Sequence, residues 1–126
     1  MRRVTGIGGV FFKAKDPAAL REWYRRHLGL EILEWGGAVF HGPEAAGATV
    51  WNVFEADTGY FDPSPAPFMI NYRVADLDHV LAALRVEGCA VDERTEVSEL
   101  GKFGWVMDPE GHRVELWEPP AGPLPD

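Results

Sequence analysis

The chain has 126 residues, of which 46% are hydrophobic and 25% charged, a length and balance that fit one soluble domain able to bury a core of its own. A formal net charge of −8 and a pI near 4.9 exclude a nucleic-acid backbone or an anionic membrane surface as the main partner, because both would be repelled. The single cysteine, Cys89, cannot form an internal disulfide, there is no basic leader followed by an apolar run, and no stretch approaches the roughly 20 apolar residues of a spanning helix, so a cytoplasmic setting is expected.

In chain order, "GIGGVFFKAK" has the aromatic and β-branched content of a strand. "DPAALREWYRRHLG" follows as a helix, with Asp16 at the N-cap, Pro17 at the first helical position and Gly29 as the left-handed stop. Leu20, Trp23, Tyr24 and Leu28 form its apolar stripe. "LEILEW", "GAVFH" and "ATVWNVFE" are expected to be three strands, separated by the Gly36–Gly37 pair and the "GPEAAG" turn. Sixty residues on, the pattern returns: "FMINYRVADLDHVLAALRVEG" lies over "GVFFKAKDPAALREWYRRHLG" with Asp76 on Asp16 and Arg73 on Lys13. The second copy continues through "AVDER" and "FGWVMD", turns at "PEGH" and closes with "RVELWE". The expected organisation is one domain over 1–126: a β-α-β-β-β module over about 5–57, a proline-rich linker over 58–66, a second module over about 67–119, and a tail at 120–126.

Three stretches, "GVFFKAKDPAALREWYRRHLGL", "NYRVADLDHVLAALRVEG" and "FGWVMDPEGHRVELWEP", in this order and spacing, resemble the vicinal-oxygen-chelate superfamily, the glyoxalase, bleomycin-resistance and extradiol-dioxygenase group. The resemblance covers residues 5–119. It implies an α+β fold of two tandem βαβββ modules forming a cup-shaped, partly open β-barrel with helices outside, and a divalent metal held inside by residues from four strands. Carried over position by position, those ligands fall on Gly9, on Trp51 (with Val50 and Asn52 its neighbours in register), on Met69 and on Glu115. Glycine has no ligand, a thioether suits hard metals poorly, and only Glu115 can bind an ion. No metal or other cofactor is expected, unless His41 or Glu55 rebuilds a site. His27, His79 and His112 are expected in solvated structural roles, and Cys89 as a small buried residue.

If the sheet curves as the resemblance implies, alternation turns Gly9, Phe11 and Lys13, then Met69, Asn71 and Arg73, then Arg113, Glu115 and Trp117 inward. Trp51 joins them. The expected site is a small-molecule pocket with Glu115 as its principal acid and Trp51, Met69, Asn71, Arg73 and Trp117 as ligand-binding residues. Glu115 can instead pair with Arg73 or Lys13 across the cup. Three functions stay open: a metal-independent protein that binds or sequesters an apolar or aromatic compound, a lyase or isomerase using Glu115 as general base, and a metal-dependent glyoxalase- or dioxygenase-like enzyme. A homodimer is expected, because five tryptophans and seven phenylalanines are more apolar surface than so short a chain readily hides.

Overall fold

Alternation along the strands of the computed structural model, which describes residues 3–42 and 47–122, divides the apolar side chains between two faces of one sheet. The elements are β1 (Val4–Ala14), α1 (Pro17–Leu28), β2 (Ala38–Phe40), β3 (Thr49–Glu55), β4 (Phe68–Val74), α2 (Leu77–Val86), β5 (Ala90–Val91), β6 (Glu96–Ser98), β7 (Gly101–Met107) and β8 (Arg113–Glu118). The strands run in the order β2-β3-β1-β4-β8-β7-β5, with β6 paired to β7. β1 and β4 pair antiparallel at the centre, flanked by the parallel pairs β1–β3 and β4–β8. The sheet stays open as a cup, and the fold is α+β.

The helices begin and end where their capping residues stand. Asp16 accepts a hydrogen bond from the Ala19 amide at 3.1 Å, and Asp76 does the same for His79. Gly29, at φ 72°, lets its amide turn back to the Arg25 carbonyl at the end of α1. On the outer face, α2 buries Leu77, Val80 and Leu81 against Val74 and Leu116. α1 seats Tyr24 against Phe12 and Trp51, at ring separations of 6.3 and 5.0 Å. Its contact is thinner, and Trp23 and Leu28 of the expected stripe remain exposed.

The inner face holds a second cluster, Phe11, Phe61, Met69 and Trp105, with Phe54, Tyr60 and Phe103 packed on it. Tyr60 and Phe61 come from the segment between the halves, so that segment fills part of the cup as well as joining its sides.

Three local expectations need correction. "LEILEW" forms no strand: Leu33 donates to the Gly37 carbonyl at 2.8 Å and Gly36 donates back to Leu33 at 2.9 Å, so the backbone closes a turn on itself in place of a ladder. The first half therefore contributes three strands, while the second gains β6. Cys89 is exposed, because the chain leaves α2 through a tight turn and reaches the very short edge strand β5 without being covered. The "GPEAAG" turn lies largely, and the end of the tail wholly, outside the described residues. Among those described, no helix is long and apolar enough to cross a membrane.

Candidate functional site

The inner face of the sheet borders a cavity of about 470 Å³ inside the cup. Val50, Asn52 and Phe54 enter it from β3, Asn71 from β4, Phe103 from β7, and Glu115 and Trp117 from β8, with Phe11 and Gly8 on the β1 side. Trp35 and the Glu99–Leu100 turn stand at its rim, where Trp35 and Leu100 are partly open to solvent. Trp117 stacks on Phe103 with the rings 6° from parallel, and its indole N–H donates to the Leu100 carbonyl at 2.8 Å, tying the rim to the wall. Phe54 and Tyr60 stack in the same way, 8° from parallel and 5.4 Å apart.

Glu115 is 1% exposed and borders this cavity. Its register partners are Asn71 on β4 and Trp105 on β7, which places donors on both sides of the carboxyl. Asn71 Nδ2 donates to Oε1 at 2.7 Å, while Trp105 Nε1 and the Tyr60 hydroxyl donate to Oε2 at 2.9 and 2.5 Å. All three donors are neutral. Burial raises the Glu115 pKa above its ordinary value, against the opposing pull of the three hydrogen bonds and the more distant charge of Arg113. Burial, and then the Glu115 charge, likewise hold the Tyr60 hydroxyl above the usual tyrosine range.

The residues expected at the site divide. Asn71, Glu115 and Trp117 line the cavity together. Trp51 does not: its ring packs between Phe12 and Tyr24 on the helix side, and Val50 and Asn52 take the inward places. Met69 faces inward but is sealed beneath Phe11, Phe61 and Trp105, with none of its surface exposed. Arg73 uses its guanidinium on the carbonyls of Ile7 and Ala48, and its stem lies over Gly8. Lys13 rests over the Phe61 ring at 5.5 Å. Arg113 is buried over Trp105 at 4.9 Å and bonded to Asp92 at 3.3 Å. The ion pair weighed between Glu115 and Arg73 or Lys13 is therefore not formed.

A register shift between Ile7 and Gly9 explains the β1 wall, since it turns two successive glycines to the same face. A Cβ on Gly8 would strike Asn71 Oδ1 and come within 2.8 Å of Trp117 and 2.9 Å of the Arg73 stem, and one on Gly9 would meet the Phe11 ring. At Gly9, where the family resemblance places a ligand, the room is thus filled by the Phe11 ring of the same strand.

The alternative metal donors do not come together either. His41 and Glu55 are exposed and line no part of the cavity, Glu55 because it shares the outward parity of Trp51. Among the described residues no three His, Cys, Asp or Glu side chains converge. His112 bonds to Asp108 at 2.8 Å within its own turn, His27 lies exposed against Trp23, and His79 is exposed at the start of α2.

Residues 9–117 match a family model described as a glyoxalase-like domain. The chain belongs to the glyoxalase-like domain family. Its place in the vicinal-oxygen-chelate superfamily agrees with solved structures that resemble it. Methylmalonyl-CoA epimerase from Mycobacterium tuberculosis is 22% identical, with 95% of this chain and 91% of that one covered at a TM-score of 0.66. A Streptomyces coelicolor methylmalonyl-CoA epimerase variant in complex with 2-nitronate-propionyl-CoA is 19% identical, covering 94% and 99% at a TM-score of 0.72. A glyoxalase/bleomycin resistance protein/dioxygenase superfamily member from Vibrio splendidus is 10% identical, covering 89% and 97% at a TM-score of 0.57. A search of the curated proteins returned no match. At these identities the structural likeness establishes the fold of this glyoxalase-like domain.

Proposed function

We propose that this glyoxalase-like domain is a metal-independent small-molecule pocket protein that binds an apolar or aromatic compound inside the cup, with Glu115 as the polar anchor. The observation that carries the reading is a cavity of about 470 Å³ walled by two stacked aromatic pairs, with a nearly solvent-free carboxyl on its floor. Apolar walls supply affinity by burial, and one polar group fixes orientation. The positions where the family resemblance implies a divalent ion do not fit one: Gly9 has no donor, Trp51 faces outward and Met69 is sealed in apolar packing, which leaves Glu115 alone among them as a ligand. Even an open catalytic zinc site needs three protein ligands.

A thermal-shift panel of small aromatic compounds tests the proposal. Binders should raise the melting temperature of the wild type and raise it less in Phe103→Ala, which removes a wall. Trp51→Ala, on the far face, should keep the ligand-induced shift even if its own baseline stability falls. Chelator should change neither result. A panel without any stabilising compound, or shifts that vanish with chelator and return with a divalent ion, would overturn the reading.

A second reading is an isomerase or lyase in which Glu115 takes a proton from a carbon acid. The raised proton affinity of the buried carboxyl favours it, and epimerases share the fold. The cationic oxyanion partners expected for that chemistry, Lys13 and Arg73, do not line the cavity, which leaves the Asn52 amide as a donor on the wall. Solvent deuterium exchange into a bound carbon acid, lost in Glu115→Gln, would select this reading.

We also infer that the chain self-associates. Ile7, Val10 and Phe68 stand exposed on the two central strands, outside the cavity, and an apolar face of this kind is commonly covered by a second copy.

A further inference from the structure

The charge of the cavity lining narrows the ligand further, and the step rests on the pocket reading above. The described residues that border the cavity include two carboxylates, Glu99 at the rim and Glu115 on the floor, and no lysine, arginine or histidine. The nearby cations are committed elsewhere: Arg113 to Asp92 and the Trp105 ring, Arg94 to that same ring at 5.4 Å, Lys13 to Phe61, and Arg73 to backbone carbonyls. An anionic compound would therefore meet two acids and no compensating base. A coenzyme A thioester, with its phosphates, fits this lining poorly.

The polar atoms of the floor point the same way. Asn71 is 2% exposed and its Oδ1 has no hydrogen-bond partner. It lies against Gly8, which itself borders the cavity. Glu115 Oε1 receives one hydrogen bond where Oε2 receives two, so a carboxylate with about four acceptor sites keeps capacity on the Asn71 side. The floor thus has acceptors to spare, and a donor-rich group completes it. Trp117, Phe103, Phe54 and Tyr60, stacked in two near-parallel pairs, line the same cavity, and the face of an aromatic ring is its negative side.

We propose that the cup takes an organic cation, a flat aromatic or apolar body bearing a protonated amine, with the nitrogen seated at the Glu115–Asn71 floor and the body between the aromatic pairs. An ammonium matches each observation: it carries three donors and no acceptor, it forms charge-assisted bonds to a carboxylate, and it is attracted to ring faces.

Three probes of one shape test it by calorimetry near neutral pH: 2-naphthylmethylammonium, 2-naphthylmethanol and 2-naphthoate. The ammonium should bind about tenfold tighter than the alcohol, with the carboxylate weakest. Glu115→Gln should shrink the ammonium's advantage to about threefold or less, and Glu99→Gln, a rim change that leaves the core untouched, should reduce it partially. Phe103→Ala should weaken the ammonium and the alcohol alike. An alcohol or carboxylate that binds as tightly as the ammonium, or an ammonium preference unchanged in both glutamine variants, overturns the cation inference while the pocket reading stands. If none of the three probes binds, the cation inference falls too. The pocket reading falls as well only if the thermal-shift panel also finds no ligand.

Discussion

Glu115 is a carboxyl whose burial works against its charge, and this makes fold stability depend on pH in a definite direction. Its folded-state pKa lies above the ordinary 4.5, with desolvation the largest cause. The stability it contributes is therefore complete below that ordinary value and is lost as pH rises through the raised one. Glu115→Gln keeps the shape, and an amide flip of Asn71 can preserve the hydrogen bonds. The melting temperature of the variant relative to the wild type should accordingly climb between pH 5 and pH 8. A difference that is flat across that range would mean the native site accepts the ionised carboxylate without cost. Tyr60→Phe makes the complementary change, because it removes one donor to Glu115 while leaving the ring stacked on Phe54. Urea denaturation should report a loss of about 1 kcal/mol, the net worth of one hydrogen bond, since Trp105 still donates to the same oxygen. The inward direction of Glu115 and Trp117 was legible in "RVELWE", since a strand paired on both edges must alternate. Trp51 was misplaced by one residue of parity, and in a strand one residue exchanges the faces completely. Position in sequence does not reveal that parity when apolar residues occupy successive places, as they do in "TVWNVF".

At the scale of elements, the segment between β3 and β4 departs most from its sequence signature. Its prolines and glycine mark a turn-rich connection, and they do so correctly, but turn chemistry is silent about which side chains fold back. Phe61 has none of its surface exposed, and it sits against Phe54 with the rings 5.1 Å apart while the Lys13 ammonium lies over its ring. Phe61→Ala should cost about 3–5 kcal/mol, as large-to-small changes of buried aromatics do. It should also loosen Tyr60, so ligand affinity should fall along with stability. A loss of stability with affinity intact would separate the connection from the site. The helices and most strands were legible because caps, stripes and β-branched runs act locally. The strand expected at "LEILEW" failed because its backbone is committed to the turn that Leu33, Gly36 and Gly37 close, leaving the outer edge of β2 unpaired, and whether a run joins a ladder is settled by the folded sheet rather than by its own pattern. Gly8→Ala probes the same principle within β1. The added methyl group would collide with Asn71 and Trp117, so it should destabilise the fold by about 1–3 kcal/mol and narrow the cavity.

For the whole molecule, the division of apolar surface is uneven, and that unevenness carries the remaining prediction. α2 covers its half of the outer face well, burying three of its own side chains, whereas α1 buries only Pro17. Ile7, Val10 and Phe68 consequently stay 49%, 37% and 40% exposed on adjacent central strands. The outer face is not needed for the cavity, which opens on the other side of the sheet, so a second copy can cover it without blocking the mouth. Association through a two-fold axis would bury each patch against its own image. Light scattering should give a mass of about twice 14.0 kDa, and Val10→Glu combined with Phe68→Glu should return the monomer mass, because like charges would then face each other across the axis. The double variant should keep its binding to the naphthyl probes, since neither residue lines the cavity. A mass that stays at 14.0 kDa over a broad range of concentrations would overturn the association. A dimer that survives the double substitution would move the interface elsewhere, leaving Trp23 and Leu28 on the weakly packed outer side of α1 as the next surface to charge.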